Sequence, residues 1–292
     1  MADTNDSNNS NNSPGNHSSG NGNAIEIRDL VVDYGPRRIL NNLNLDIPAG
    51  KINVIMGRSG AGKSTLLRCI LGLKKPTSGS IRMLGTELTT ATPHEVNSLR
   101  KQMGVAFQGG ALFSSMTVGE NIQLALREHT NLDESTIRIM TRIKLDMVNM
   151  LPFENLMPSE LSGGMTKRAA LARATIMDPK LLFFDEPSSG LDPITAAELD
   201  ELILLLKQGM NMTIVVVTHE LESAFKIADK ISIMHGGEFL VMGGPDDIRA
   251  CQDPIVQSLL HRTPRESRVD TDAHLRALVN GEIEPGASGN IE

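Results

Sequence analysis

The segment KINVIMGRSGAGKSTLLRCILGL, residues 51–73, leaves few folds open to this chain. Its first part is an apolar, partly β-branched run ending in glycine, the pattern of a buried strand entering a turn. Its last part carries apolar residues at helical spacing. Between them stands GRSGAGKST, a complete G-x-x-x-x-G-K-[ST] loop, placed where the motif has meaning: after a strand and before a helix. Small residues let successive backbone N–H groups turn inward on phosphate oxygens, and the helix N-terminus adds a favourable dipole. Gly57, Arg58, Ser59, Gly60, Ala61, Gly62, Lys63, Ser64 and Thr65 are the candidate phosphate cradle. Lys63 can reach β- and γ-phosphates, and the Ser64 hydroxyl can ligate Mg²⁺.

Further apolar runs surround this unit. IEIRDLVVDY, LNLDI, SIRML, KLLFFD and MTIVVVTH read as strands, and DKISIMHGGEFLVMGG as a hairpin over a glycine pair. The helix ITAAELDELILLLKQ, stopped at Gly209, lies between two of the strands. Short apolar strands alternating with helices predict a parallel α/β core. Residues from about 96 to 178 read as mostly helical and form a separate lobe, with DESTIRIMTRIKLDMVNML the longest stretch. Ordered structure is expected over 24–244, followed by a C-terminal extension at 245–292. That extension opens with a helical pattern in PDDIRACQDPIVQSLLHR and ends in a polar tail. The leader at 1–23, rich in Asn, Ser and Gly, buries too little apolar surface to offset its ordering entropy and reads as disordered.

Other features narrow the function. No run of about 18 apolar residues occurs, so no membrane-spanning helix is expected. The leader has neither the basic residues nor the apolar core of a targeting segment, which predicts a cytosolic chain. A formal charge of −7 and a pI of about 5.6 speak against nucleic acid as the main partner. Cys69 and Cys251 form no metal or redox spacing.

LLFFDEP supplies a second chemical element. An apolar strand ends in Asp185 and Glu186. Read alone, the two acids could simply cap the next helix. Read with the phosphate loop, Asp185 holds Mg²⁺ and Glu186 polarises the attacking water as general base.

These residues, together with LSGGM, resemble the nucleotide-binding subunits of ABC transporters, and the similarity runs from about residue 25 to 244 with the motifs in the family's order. The resemblance implies a P-loop NTPase α/β fold of the ABC type: a RecA-like core, an antiparallel β subdomain and an α-helical subdomain. It also implies an ATPase using ATP and Mg²⁺. Tyr34 takes the place of the aromatic residue that stacks on adenine, with core packing as the alternative. Gln108 takes that of the glutamine sensing Mg²⁺ and the attacking water, and His219 that of the switch histidine beside the γ-phosphate. Asp192 lies in the loop with a cross-dimer role. Ser162, Gly163 and Gly164 form the signature loop, which in this family closes over the γ-phosphate held by a second copy. The expected unit is a head-to-tail homodimer with two ATP molecules in its interface.

Met165 stands where most of the family has glutamine. With TKRAALARA after it, it resembles the subgroup that energises lipid transporters containing a periplasmic MCE subunit, among them the bacterial phospholipid system that maintains outer-membrane asymmetry. FQGGALF and LREHT fit the same subgroup. The implied setting is the cytoplasmic face of the inner membrane, held peripherally through a permease. An MCE lipid-binding subunit and a small STAS subunit are implied in the same complex. GGALFSSMTVGENI, after Gln108, is where the permease would dock; Leu112, Phe113 and Met116 are candidate contacts, or else pack inside the helical lobe. An ATPase for solute import, and a soluble ABC ATPase acting on ribosomes or DNA, are the competing readings. A single cassette without a long coiled-coil insertion, together with the acidic balance, disfavours the soluble one.

Overall fold

Strands apolar on both faces fold into the middle of the molecule. The computed structural model describes residues 22–210 and 212–262. In chain order its strands are β1 (Asn23–Tyr34), β2 (Arg37–Pro48), β3 (Ile52–Gly57), β4 (Ser78–Met83), β5 (Thr86–Glu87), β6 (Met103–Ala106), β7 (Leu181–Asp185), β8 (Thr213–Thr218), β9 (Lys230–His235) and β10 (Glu238–Gly243). Its helices are α1 (Lys63–Ile70), α2 (Pro93–Arg100), α3 (Val118–His129), α4 (Glu134–Met147), α5 (Gly163–Thr175), α6 (Pro193–Met210), α7 (Leu221–Ile227), α8 (Pro245–Ala250) and α9 (Pro254–Leu260).

The central sheet has the order β10-β9-β3-β8-β7-β6. β9, β3, β8, β7 and β6 pair in parallel, and β10 closes one edge antiparallel to β9. The alternation along each strand divides two cores. Ile52, Val54, Met56, Leu182, Phe184, Ile214 and Val216 face a layer containing α3, α5, α6 and α7. Ile55, Leu181, Phe183, Val215 and Val217 face α1 and the inner side of a second, antiparallel sheet of order β2-β1-β4-β5. A strand packed on both sides is apolar at most positions, which is why β8 reads as a hydrophobic run between two threonines and β3 as one interrupted only by the buried Asn53.

The stretch 96–178 is mostly helical but contains one strand that its pattern does not announce. Met103–Ala106 is a strand, β6, paired in parallel with β7 at the sheet edge. Four residues are too few to show a period of two. Gly104 admits it: a Cβ there would stand 2.0 Å from the Ala174 carbonyl oxygen, so the end of α5 lies directly on the strand. Helix α6 runs through Gly209 to Met210 rather than stopping at the glycine. The glycine pair Gly236 and Gly237 turns between β9 and β10 with φ of 57° and 84°, both in the region that such a turn requires. The helical pattern after Gly244 divides into α8 and α9, with Asp253 capping the second. The expectations for residues 1–21 and for the tail from 263 lie outside the described residues.

Candidate active site

Every motif of the sequence that ends a parallel strand ends it on the same side of the sheet. β3 runs into the phosphate loop, β7 ends at Asp185 and Glu186, β8 leads to His219, and β6 leads to Gln108. Parallel pairing forces this convergence, because all carboxyl ends of such a sheet share one edge. Together they line a cleft of about 740 Å³ containing residues 58–65, Gln108, Asp185, Glu186 and His219.

Lys63, 8% exposed, donates to the Gly57 carbonyl at 2.8 Å and the Arg58 carbonyl at 3.4 Å. Its Nζ stands 3.9 Å from Glu186 Oε1. Burial lowers its pKa, opposed by the charges of Glu186 and Asp185. The Asp185 carboxyl is pushed up by burial first and by adjacent Glu186 second. Gly62 carries φ +105°, and a Cβ there would meet Leu40 Cδ2 at 2.7 Å; no other residue type fits this entry to α1.

Glu186 is held in a left-handed backbone conformation, φ +51°, which costs a non-glycine residue ~1–3 kcal/mol and persists only where its surroundings enforce it. They do so from several sides. Its N–H donates to the Val217 carbonyl at 2.8 Å, and its carbonyl accepts from Lys167 Nζ at 3.1 Å. Its Oε2 meets the Thr218 hydroxyl at 3.3 Å, the His219 N–H at 3.3 Å and His219 Nδ1 at 2.8 Å. Gln108 donates through Nε2 to the Ser189 hydroxyl at 3.3 Å, in the loop that follows Glu186.

Other singled-out residues stand elsewhere. Ser162, Gly163, Gly164 and Asp192 are absent from the lining of this cleft. Ser162 caps α5, its hydroxyl accepting from the Met165 N–H at 3.3 Å. Asp192 caps α6 through the N–H groups of Ile194 and Thr195, and these bonds with the Thr195 hydroxyl hold its carboxyl below the usual range. Met165 packs half-buried against its own chain's core. Tyr34 is 43% exposed, with Lys74 Nζ 4.3 Å from its ring centroid, and it too lies outside the cleft lining.

The sequence reading missed four residues. Arg37, Ile39 and Leu259 also line the cleft, and Lys167 contacts the backbone of both Gln108 and Glu186. Leu259 comes from α9, where Arg58 donates to Ser258 Oγ at 2.9 Å. No motif spacing connects residue 259 to residue 58; Lys167, inside the signature helix, was the one with a visible signal.

The ABC transporter family profile matches residues 40–189, from β2 through the loop after Glu186. The chain belongs to the ABC transporter ATPases. The Intermembrane phospholipid transport system ATP-binding protein MlaF of Haemophilus influenzae is 42% identical over 233 residues, 80% of this chain and 88% of that protein. The probable ribonucleotide transport ATP-binding protein mkl of Mycobacterium leprae is 41% identical over 239 residues, 82% of this chain and 69% of that one. Among solved structures, the cassette MJ0796, as a dimer in a post-hydrolysis state bound to ADP and Pi, matches with a TM-score of 0.70 and 29% identity over 76% of this chain and 98% of its own. This cassette is therefore an ATP-hydrolysing enzyme of the ABC fold.

Proposed function

We propose that this cassette is the ATPase subunit of a transporter that moves phospholipid between inner and outer membranes and so maintains outer-membrane lipid asymmetry. The likeness to MlaF carries the reading, because it extends over 88% of that protein. The cassette sits peripherally on the cytoplasmic face of the inner membrane. Among the described residues no helix is long and apolar enough to cross a membrane, so a partner must provide the passage.

Two copies act head to tail. ATP lies on residues 57–65 with its adenine against Tyr34, and Ser162, Gly163 and Gly164 of the second copy close over the γ-phosphate. Asp192 lies at the same interface. The position of the signature loop away from its own cleft supports this arrangement, as does the dimeric MJ0796. Lys63 neutralises developing phosphate charge. Glu186 accepts the proton of the attacking water, and His219 orients that carboxylate. The donor set suits Mg²⁺: Ser64, Gln108 and Asp185 each offer a hard oxygen, and the half-buried Asp185 beside Glu186 favours a cation. Among the described residues no cluster of three His, Cys, Asp or Glu could hold a metal alone, in keeping with an ion that takes most ligands from phosphate and water. That ion would neutralise charge on the phosphate oxygens.

An MlaE-like permease docks at the segment following Gln108. Phe113 is 52% exposed there, and a cavity of about 760 Å³ lined by Met103, Val105, Ala125, His129, Arg173 and Met177 opens between core and helical lobe. An MlaD-like MCE subunit and an MlaB-like STAS subunit complete the complex. The name of mkl favours a second reading, ribonucleotide transport. Isolation of the complex from membranes decides between them: copurified permease, MCE subunit and phospholipid support the first, and uptake of labelled ribonucleotide by the reconstituted complex without bound lipid supports the second.

A further inference from the structure

We propose that Lys167 is a positioning residue for the glutamine and the carboxylate of its own chain's ATP site, although the helix that carries it lends its N-terminus to the partner's ATP. The inference rests on the two-copy reading above and adds a residue that reading does not use.

Lys167 lies five residues after Ser162, about 7.5 Å along α5 at 1.5 Å per residue. Its ammonium reaches the backbone of two residues that line the home cleft. It donates to the backbone carbonyl of Gln108 and, at 3.1 Å, to that of Glu186. One cation thus joins the two residues that must face the attacking water. The bond to Glu186 has a specific use, since that residue holds φ +51°. Its N–H is pinned by Val217 on one side, and Lys167 pins its carbonyl on the other. Burial lowers the Lys167 pKa, and the charges of Asp185 and Glu186 offset part of that shift; the two carbonyl contacts carry the assignment. Neighbouring Arg168 does something different: it pairs with Glu198 at 2.8 Å and is not part of the cleft lining.

The same helix holds the rest of the glutamine loop. Arg173 donates to the carbonyls of Ala111 at 2.7 Å and Gly110 at 2.8 Å. A Cβ on Gly110 would stand 2.7 Å from Thr166 Cγ2, so loop and helix are in direct contact. Displacement of α5 therefore carries the Gln108 loop with it, and through Lys167 it acts on Glu186. Closure of the signature loop on one nucleotide would align the catalytic groups around the other.

The test uses the full-length chain. Lys167→Met is expected to lower kcat by about 10- to 100-fold, the cost of misplacing reacting groups by an ångström. KM for ATP should stay within twofold, and Lys167→Arg, which keeps a cationic donor, should restore most of the rate. In a Glu186→Gln background, Lys167→Met should leave the ATP concentration for half-maximal dimerisation within twofold. A kcat within twofold of wild type for Lys167→Met, or no rescue by arginine, overturns the proposal. So does a tenfold shift in the dimerisation midpoint, which would assign Lys167 to the partner's nucleotide. If Lys167→Met does not fold, Lys167→Gln carries the same measurements. Failure of Glu186→Gln alone to dimerise with ATP would count against the two-copy reading, while the kcat comparison would still judge Lys167.

Discussion

Nδ1 of His219 lies 2.8 Å from Oε2 of Glu186, and the His219 backbone N–H donates to the same oxygen at 3.3 Å. The histidine thus fixes the carboxylate from ring and backbone together, 33 residues apart in sequence. A carboxylate held this way has its other oxygen directed at Lys63, 3.9 Å distant. Glu186→Gln preserves the shape and removes the base. Its kcat should fall by ~10²–10⁴-fold, with ATP binding retained and an ATP-loaded dimer accumulating. Steady-state phosphate release and size-exclusion chromatography with ATP would show both; wild-type turnover would dismiss Glu186 as the base.

Lys63→Ala should weaken ATP binding. A hydrogen bond to a charged group is worth ~1.5–3 kcal/mol, about 10- to 100-fold in affinity. The same change leaves the Gly57 carbonyl without the ammonium it accepts from, so some loss of thermal stability should accompany it. Calorimetric titration with ATP checks the first effect; an unchanged dissociation constant would contradict the role of Lys63.

Asp185 should show a trade of stability for function. Burial first and Glu186 second raise its carboxyl above the ordinary aspartate range. A raised acid binds protons more readily folded than unfolded, so folding stability falls as pH rises from the unfolded value through the folded one. Above that window the full cost is present. Asp185→Asn removes it, and each ~1 kcal/mol recovered raises Tm by ~2–4 °C for a chain of this size. The variant should melt higher than wild type at pH 7 without ligand, while the melting temperatures converge in acid. It should also lose the stabilisation that Mg²⁺ with ATP gives wild type. A lower melting point for the ligand-free variant at pH 7 would refute the electrostatic argument.

The two signature glycines should behave differently. A Cβ on Gly163 meets nothing closer than Leu191 Cδ2 at 3.6 Å, an ordinary contact, whereas one on Gly164 stands 2.7 Å from Thr195 Cγ2. Among the described residues nothing requires glycine at 163. Gly163→Ala should fold with unchanged or slightly higher Tm, since alanine favours helix by up to ~1 kcal/mol, yet lose at least about tenfold in turnover by obstructing the partner's phosphate. Gly164→Ala should lose stability as well. Full activity in Gly163→Ala would mean that no second molecule approaches this backbone.

Much was legible from the chain alone wherever the physics is local. The phosphate loop needs small residues at most of its positions, and a buried parallel strand is apolar at most of its positions. Both leave marks that can be read without coordinates, in GRSGAGKST and in TIVVVT. β6 left no such mark: four residues cannot display a period, and its strand identity comes from pairing with β7 and from the bare Gly104 under α5. The glycine at 209 looked like a stop, but α6 continues past it, since packing of the apolar face outweighs one residue's propensity.

The sequence by itself determined the candidate chemistry: a complete phosphate-loop motif, two acids at the end of a strand, and the serine that caps the signature helix. The tertiary structure alone decided how these parts meet. It seats α9 against Arg58 from 200 residues away, sets the Glu186 backbone in a left-handed bend, and brings Lys167 to the backbone of two cleft residues while Ser162 stays clear of the cleft. Spacing along a chain constrains only neighbours within a strand or a helical turn. Contacts between distant segments follow from sheet order and from which faces must be buried, and those are properties of the whole fold.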